Sequence, residues 1–521
     1  MLKKFVKRNW QLFLFNFIFL LIFILGYGRF GDVIVDSFRE PYIASQILKG
    51  EVLYKNVFMI YPPLSYFINA FLFIIFGTKL KVVYMAGFLA AGGIINLVYK
   101  IASKFMSKTV SLSIVLFIIA GSCLSPNVFN LFFPYSFGIL YGILFMLGAF
   151  YCALYKKYPA AYFLYSLAIC AKYEFILVLP VLVWISWNKN VIKNIIAFFV
   201  PLIITALIMG LHGIRWEDLV ISGQFILSMS SSKTLYWFYS VVGLVYRPQL
   251  IPIYISNFLK YFIPFCLICY FKNIWVYILL VFYLYFIVNP EILIYAYPLI
   301  LVMLFIRYKH LSREKLFWVL SSLLVSAKLF FALTLKSYGV YFLPFALISL
   351  FILIPPKYRK SLSIITISAS LILAVQNINT LFQKHVRIKT NKGIVYATTY
   401  NGVGINALIS YIDKYVDKND KMVILPECLS VNFLTGINSD NKFYSLIPLY
   451  VEVFGEDLII NRLKRIQPKY IVITNYDTSN YYYSYFGQDY AGDILNYIIK
   501  NYTLETKFGQ GLLFNVYKLK D

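Results

Sequence analysis

Long uninterrupted apolar runs constrain the fold of this chain more than any other feature. Residues 11–27 (QLFLFNFIFLLIFILGY) and 192–211 (IKNIIAFFVPLIITALIMGL) are each close to the roughly 20 residues that a helix needs to cross a bilayer core about 30 Å thick. Only 13% of the 521 residues are charged, whereas soluble domains are about a quarter charged. We therefore predict a polytopic α-helical membrane protein. The first run follows basic residues but no A-x-A-like cleavage site follows it, so we expect it to be retained as a helix.

Basic residues indicate how the chain is threaded through the membrane. Up to about residue 380 they cluster in short loops between apolar runs, the pattern of the positive-inside rule. The net charge of +26 is therefore not interpreted as a nucleic-acid-binding face. Apolar runs and basic loops together predict about 13 transmembrane helices with a cytoplasmic N-terminus. The predicted spans are about 11–27, 82–99, 109–124, 137–154, two within 159–187, 194–211, 253–271, 274–288, one ending at Arg307, 316–333, 339–354 and 361–378.

This path divides the chain into a transmembrane domain, 1–380, and a polar C-terminal domain, 381–521, predicted to lie on the extracytoplasmic side. Two long loops, 28–81 and 212–250, are predicted on that side too. Every acidic residue of the transmembrane domain except Glu314 falls there. Acidic residues contribute little to topology, so their bias indicates a functional site outside the membrane.

The C-terminal domain shows the alternation of a small α/β fold. Apolar runs at Met422–Leu425 and Tyr470–Thr474 are typical of buried strands. Helical patterns occupy about 403–416, 455–466 and 491–501. Alternating strands and helices predict one sheet covered by helices.

No metal or cofactor motif is evident. Cys266 and Cys269 form a C-x-x-C, but it lies in an apolar run, IPFCLICYF, with no second pair or nearby histidine, so we interpret it as structural. The histidines His212, His310 and His385 are scattered. The chain has no D-x-D pair, Walker A loop or H-E-x-x-H motif, and we expect no cofactor.

The first predicted loop carries a cluster of ionisable residues, Asp36, Arg39 and Glu40. Side chains three and four residues apart share one face of a helix. Charges next to a membrane span are costly unless they pair or bind something. Two interpretations are open from spacing alone: a structural ion pair, or a general base beside a phosphate-binding arginine.

The segment from Gly31 to Gly77 resembles the first extracytoplasmic loop of the GT-C glycosyltransferases. It is similar to bacterial members of glycosyltransferase family 39, which include lipid A aminoarabinose transferases and relatives of protein O-mannosyltransferases. Their loop runs D-E-x-R-Y-x-x-x-A, then a glycine, then P-P-L and an aromatic residue. The segment ending at Lys172 also resembles a family segment that ends in a lysine at the outer end of a span. The residues of this chain that match the family's first loop are Asp36, Arg39, Ala44, Gly50, Pro62, Pro63, Leu64 and Tyr66.

The resemblance implies a GT-C architecture, a polyprenyl-phosphate sugar donor and a catalytic-base role for Asp36. Three departures bear on it. Ser37 replaces an acidic residue, and Tyr61 stands where a lysine often precedes P-P. The loop Ser125–Ser136 lacks the acidic residue that many members carry there, which leaves the acceptor unassigned; Glu40 or Glu217 would be the substitute.

Transfer from such a donor releases a lipid phosphate, so a base must take the acceptor's proton and fixed cations must hold the developing charge. We interpret Lys233 and Lys336 as lysines that snorkel to the interface. For Lys172 and Lys328 both phosphate binding and snorkelling stay open. Loop 212–250 suits either a mobile cover over the site or an interfacial anchor. The predicted substrate and phosphate-binding residues are Arg39, Lys172, Lys328, Arg247 and Tyr61, beside the predicted catalytic residues Asp36 and Glu40.

The leading interpretation is an inverting glycosyltransferase of the bacterial inner membrane, with the polyprenyl-phosphate sugar and membrane lipids as partners and an unassigned acceptor. An O-antigen polymerase or ligase is an alternative, but the C-terminal domain and the D-x-x-R loop disfavour it. A transporter or lipid flippase is another alternative, but the chain lacks the paired repeats typical of transporters. Transfer of a whole glycan to asparagine is disfavoured because no W-W-D motif is present.

Overall fold

A computed structural model describes residues 2–228, 252, 255–256, 259, 293–327 and 336–520. Among these residues, helices dominate as far as Phe382, and strands appear only after it. The helices of this part are α1 Leu2–Gly26, α2 Arg39–Leu48, α3 Leu64–Phe76, α4 Leu80–Phe105, α5 Lys108–Ile118, α6 Phe137–Leu154, α7 Tyr158–Ala171, α8 Leu179–Ile185, α9 Val191–Leu211, α10 Trp216–Ser228, α11 Leu293–Arg307, α12 Arg313–Val325, α13 Leu343–Leu353 and α14 Arg359–Phe382.

The predicted spans that fall on described residues are occupied by apolar helices. Helices long and apolar enough to cross a bilayer, among the described residues, are Leu80–Phe105, Phe137–Leu154, Val191–Leu211 and Pro356–Phe382. Shorter apolar helices are Trp10–Gly26, Leu64–Phe76, Lys108–Cys123, Tyr158–Ala171, Tyr173–Ile185 and Tyr338–Leu353. Several described helices thus have the length and composition needed to cross a bilayer. The spans expected at 253–271 and 274–288 lie outside the described residues.

The first loop, predicted at 28–81, contains two helices, α2 and the apolar α3. Most side chains of α2 pack into the protein, whereas α3 exposes apolar side chains such as Ile74 and Phe76. Arg39, Glu40, Tyr42 and Ile43 are all buried. The loop is therefore a folded layer at one end of the helical bundle.

Aromatic and amide contacts hold α1 against α4. The rings of Phe23 and Phe88 lie 4.6 Å apart, centroid to centroid. Asn16 and Asn96 exchange side-chain amide hydrogen bonds of 3.2 and 3.0 Å. Away from water, hydrogen bonds between helices satisfy polar groups that have no solvent partner. Each contributes about 1 kcal/mol to the stability of the helix packing.

The C-terminal part contains a hairpin and a four-stranded sheet. Strands β1 Val386–Thr390 and β2 Gly393–Ala397 pair antiparallel. The sheet consists of β3 Met422–Leu425, β4 Tyr470–Thr474, β5 Tyr502–Phe508 and β6 Phe514–Leu519. Their order is β3-β4-β6-β5, with β3 parallel to β4 and the other pairs antiparallel. Every residue of β3 and β4 is buried, which explains their continuous apolar runs.

Helices surround this sheet close to the predicted positions. The helix α15, Thr399–Tyr415, precedes β3. After β3 come α16 Leu429–Thr435, α17 Pro448–Phe454 and α18 Glu456–Ile466, and α19 Gly492–Asn501 follows β4. The predicted helices at 403–416, 455–466 and 491–501 correspond to α15, α18 and α19.

The C-terminal domain packs directly on the first loop. The hydroxyl groups of Tyr42 and Ser439 are hydrogen-bonded at 2.6 Å. The backbone N–H of Phe58 donates to the carbonyl of Lys442 at 3.2 Å. The Phe58 ring also meets that of Phe454 at 4.8 Å and belongs to the sheet's hydrophobic cluster. The loop and the sheet therefore form one continuous packed layer.

We predict that Gly87→Ala destabilises the helical bundle by about 1–3 kcal/mol, the usual cost of overpacking. A Cβ atom at Gly87 of α4 would lie 1.9 Å from the Phe132 carbonyl oxygen, so the backbone of segment 125–136 would have to move. The measurement is thermal unfolding in detergent.

Gly92→Ala is the matched control, because its Cβ would meet only the Phe19 ring of the same bundle, at 3.5 Å. Equal unfolding temperatures for the two variants would contradict the close contact at Gly87.

Candidate active site

A tight turn before α2 presents Asp36. The Asp32 carboxylate accepts the backbone N–H groups of Ile34 and Val35 at 2.7 and 3.0 Å, and the Ser37 hydroxyl accepts the Asp32 N–H at 3.0 Å. Asp36 then takes a left-handed backbone conformation, with φ of 58°, which aspartate tolerates better than most residues. The turn thus places the Asp36 side chain at the start of α2.

Asp36 and Arg39 form an ion pair, with Arg39 Nη1 2.7 Å from Asp36 Oδ1. Arg39 Nη2 also donates to the Tyr135 carbonyl at 3.1 Å. Burial raises the pKa of Asp36 above its usual range, although the Arg39 charge acts to lower it. For Arg39, burial favours the neutral form, but Asp36 and nearby tyrosines outweigh it and raise its pKa, so the guanidinium stays charged.

Tyr61 brings a second cation to this pair. Its ring centroid lies 5.2 Å from Arg39 Cζ and 4.8 Å from Lys172 Nζ. Lys172 follows α7 and is buried, so it is not a lysine extended along the protein surface. Two cations therefore lie against one aromatic ring, with Asp36 as the ion-pair partner of Arg39 and the Glu174 charge acting on Lys172.

Glu40 points into a different network. Its carboxylate accepts the Ser136 hydroxyl at 2.8 Å and the Gly138 N–H at 3.3 Å, at the N-terminus of α6, where a negative charge is stabilising. Its other oxygen accepts Asn69 Nδ2 at 3.4 Å. Burial raises the pKa of Glu40, while these hydrogen bonds and Arg39 lower it. The contacts join the first loop to α3 and α6, and they favour a structural role over the predicted catalytic one.

A cavity of ≈ 50 Å³ lies between the Asp36 turn and the C-terminal domain. Such a volume holds more than one water molecule. Its lining combines the two charges of the ion pair with polar and aromatic side chains from the loops of the sheet. The lining residues are Ile34, Val35, Asp36, Phe38, Arg39, Glu427, Cys428, Leu429, Tyr444, Ser445, Ile447, Tyr450 and Tyr481.

Glu427 is a site residue that the sequence did not single out. It follows β3 at the carboxyl end of a parallel strand, a common place for ligand-binding residues. That position is the sequence feature that could have identified it as a candidate. The Ser445 hydroxyl donates to its carboxylate at 2.7 Å. Burial, with the Asp36 charge adding to it, raises the pKa of Glu427 to about 8.

Not every residue named in the sequence analysis falls on a described part of the chain. Lys328 and Arg247 lie outside the described residues, as do Cys266, Cys269 and most of loop 212–250. Glu217 is exposed in the first turn of α10 and does not line the cavity. Across residues 2–228, 293–327 and 336–520, no group of three or more histidine, cysteine or acidic side chains is placed to hold a metal ion.

Comparison with solved structures identifies the fold. ArnT from Cupriavidus metallidurans, bound to undecaprenyl phosphate, matches with a TM-score of 0.55 at 10% identity, covering 98% of this chain and 98% of ArnT. Its apo structure matches with a TM-score of 0.49 at 11% identity over 98% of each chain. An oligosaccharyltransferase from Archaeoglobus fulgidus, tethered to an acceptor peptide, gives 0.47 at 14% identity, covering 99% of this chain and 75% of that one.

No family model matches the chain, and no curated protein does. The first of these structures covers nearly the whole of both chains. The chain therefore has the fold of ArnT, in agreement with the resemblance of its first loop.

We predict that Glu40→Ala lowers the free energy of unfolding by roughly 1–3 kcal/mol, because it leaves the buried Ser136 hydroxyl and Asn69 amide without the acceptor that Glu40 provides. Thermal unfolding in detergent measures this. Glu217→Ala is the control, since it removes an exposed carboxylate and should leave the unfolding temperature unchanged. A Glu40 variant as stable as wild type would contradict the structural role.

Proposed function

We propose that this protein is an inverting membrane glycosyltransferase, which moves a sugar from a polyprenyl-phosphate donor to an acceptor at the outer face of a bacterial inner membrane. In this proposal the N-terminus is cytoplasmic and the C-terminal domain is extracytoplasmic. The Asp36–Arg39 ion pair, 2.7 Å long and open to a cavity, is the observation that carries the proposal. The fold supports it, because ArnT was crystallised with undecaprenyl phosphate.

The proposed reaction assigns different tasks to the two members of the pair. A hydroxyl or amine of the acceptor attacks the anomeric carbon of the donor sugar, and the bond from that carbon to the phosphate oxygen breaks. Asp36 takes the acceptor's proton as general base. Arg39 contacts Asp36 through Oδ1, so the second carboxylate oxygen is the one assigned to the proton.

The leaving phosphate gains negative charge as the bond breaks. Arg39 and Lys172, which meet on the Tyr61 ring, are the proposed cations that stabilise it. Fixed cations in a site of low dielectric stabilise developing charge more than water does, since they need no reorganisation. The hydrogen bond from Arg39 to the Tyr135 carbonyl holds the guanidinium in place for this task.

We predict that Asp36→Asn lowers the rate of sugar release from the donor by at least about 100-fold, the lower range of the contribution of a general base. The measurement is loss of label from a radiolabelled polyprenyl-phosphate sugar, with the purified chain in detergent. Asp457→Asn, at an exposed aspartate of the C-terminal domain, is the control and should behave as wild type.

Undiminished release of label by Asp36→Asn would overturn the assignment of the base. Movement of the intact labelled lipid across a bilayer, without cleavage, would instead favour the flippase. Polymerisation of a lipid-linked glycan on itself would favour the O-antigen polymerase.

The proposed reaction uses side-chain cations in place of a metal ion. We therefore expect donor turnover to stay within about twofold of its starting rate after dialysis against EDTA, because Arg39 and Lys172 supply the charge stabilisation. The same label-release assay measures this. A loss of activity that Mg²⁺ or Mn²⁺ restores would contradict it.

A further inference from the structure

Glu427 has no task in the reaction proposed above, although it shares the cavity with Asp36 and Arg39. It comes from the C-terminal domain, whereas the ion pair comes from the first loop. Ser445 anchors one of its oxygens. A half-buried carboxyl group that faces this cavity from a separate domain requires an explanation beyond packing.

The charges around the cavity constrain the ionisation state of Glu427. The opposite charges of Asp36 and Arg39 offset each other, and the negative charge of Asp32 acts to raise the pKa of Glu427. An ionised Glu427 would add a further negative charge to this place, and like charges in a buried site repel. An anionic phosphate would then bind against a net negative lining.

We propose that Glu427 is a further phosphate-binding residue, which as an uncharged carboxylic acid donates a hydrogen bond to a phosphate oxygen of the lipid carrier beside Arg39. This inference rests on the proposed function and extends it, because the C-terminal domain then completes the donor site. Ser445 orients the carboxyl group for this hydrogen bond.

The protonation of Glu427 fits this role at neutral pH. Burial first, and then the charges of Asp36 and Asp32, raise its pKa to about 8, while the Ser445 hydrogen bond and Arg39 act to lower it. The group is therefore uncharged below about pH 8 and becomes ionised as the pH rises through that value. An ionised Glu427 cannot donate and repels the phosphate, so binding should weaken in alkaline solution.

Few neighbouring groups titrate in the same range. Burial raises the pKa of each facing tyrosine above its ordinary value and that of Cys428 to about 12. Lys384, which donates to the carbonyls of Gly31 and Pro126, has its pKa lowered to about 8 by burial. The groups that face Glu427 are Asp32, Asp36 and Arg39 from the first loop, and Cys428, Tyr444, Tyr450, Tyr476, Tyr481 and Tyr490 from the C-terminal domain.

The test is equilibrium binding of undecaprenyl phosphate to the full chain in detergent between pH 7.5 and 9.5. A phosphate monoester has its second pKa near 6, so the ligand keeps its charge throughout. We expect wild-type affinity to fall roughly tenfold or more across this range, since each pH unit above the pKa removes about nine-tenths of the remaining protonated form.

Variants assign the change to Glu427. Glu427→Gln keeps a donor but cannot ionise, so its affinity should stay constant with pH. Ser445→Ala removes a hydrogen bond that lowers the pKa, so the loss of affinity should move to higher pH. Glu505→Gln is the matched control: this carboxylate of the same domain also accepts one hydroxyl, from Tyr411 at 2.7 Å, and its variant should follow wild type.

If the affinity of Glu427→Gln for undecaprenyl phosphate falls in alkaline solution as much as that of wild type, the inference is overturned. It is also overturned if Lys384→Arg abolishes the alkaline loss of affinity, because the titrating group would then be Lys384. If Glu427→Gln does not fold, Ser445→Ala tests the inference instead: a shift of the affinity loss to higher pH supports it, and no shift or a shift to lower pH overturns it. Absence of binding by the wild-type chain at every pH would overturn the proposed function itself, on which the inference rests.

Discussion

The ion pair between the half-buried Asp36 and the buried Arg39 is the interaction on which the site depends. Taking two charges out of water costs several kcal/mol for each ion, and close pairing recovers this only when the remaining donors and acceptors are satisfied. Here Arg39 also donates to the Tyr135 carbonyl and lies against Tyr61, although its buried Nε has no hydrogen-bond partner among the described residues. The turn before α2, the segment before α6 and the residues before α3 therefore converge on one guanidinium, and Asp36 and Arg39 line the cavity beside it.

The C-terminal domain lines the side of the cavity opposite the first loop. Its loops meet the first loop through the Tyr42–Ser439 hydroxyl pair and the Phe58 backbone, and they carry Glu427 to the ion pair. A site formed between two packed layers excludes much of the water, which strengthens every electrostatic interaction inside it. The proposed phosphate binding thus depends on how the domain docks, and the Tyr42–Ser439 contact is part of the structure that sets it.

Two departures from the family pattern find a physical account in the tertiary contacts. Ser37, in place of an acidic residue, accepts the Asp32 N–H and closes the turn that presents Asp36. Tyr61, in place of a lysine, contributes no charge of its own but lies against Arg39 and Lys172. Positive charge at this place thus comes from the end of α7. Glu40, which the spacing grouped with Asp36, instead binds the N-terminus of α6.

The sequence by itself determined the apolar helices and the strands Met422–Leu425 and Tyr470–Thr474, which follow from run length and periodicity over a few turns of chain. The prediction that Asp36 and Arg39 share a helix face was wrong, because Asp36 lies in the turn before α2, and the turn brings the two side chains together. Only the tertiary structure decided that Lys172 and Glu427 meet this pair and that Glu40 does not. Periodicity records which face of an element is buried, but the element that covers that face is selected by packing between segments far apart in sequence.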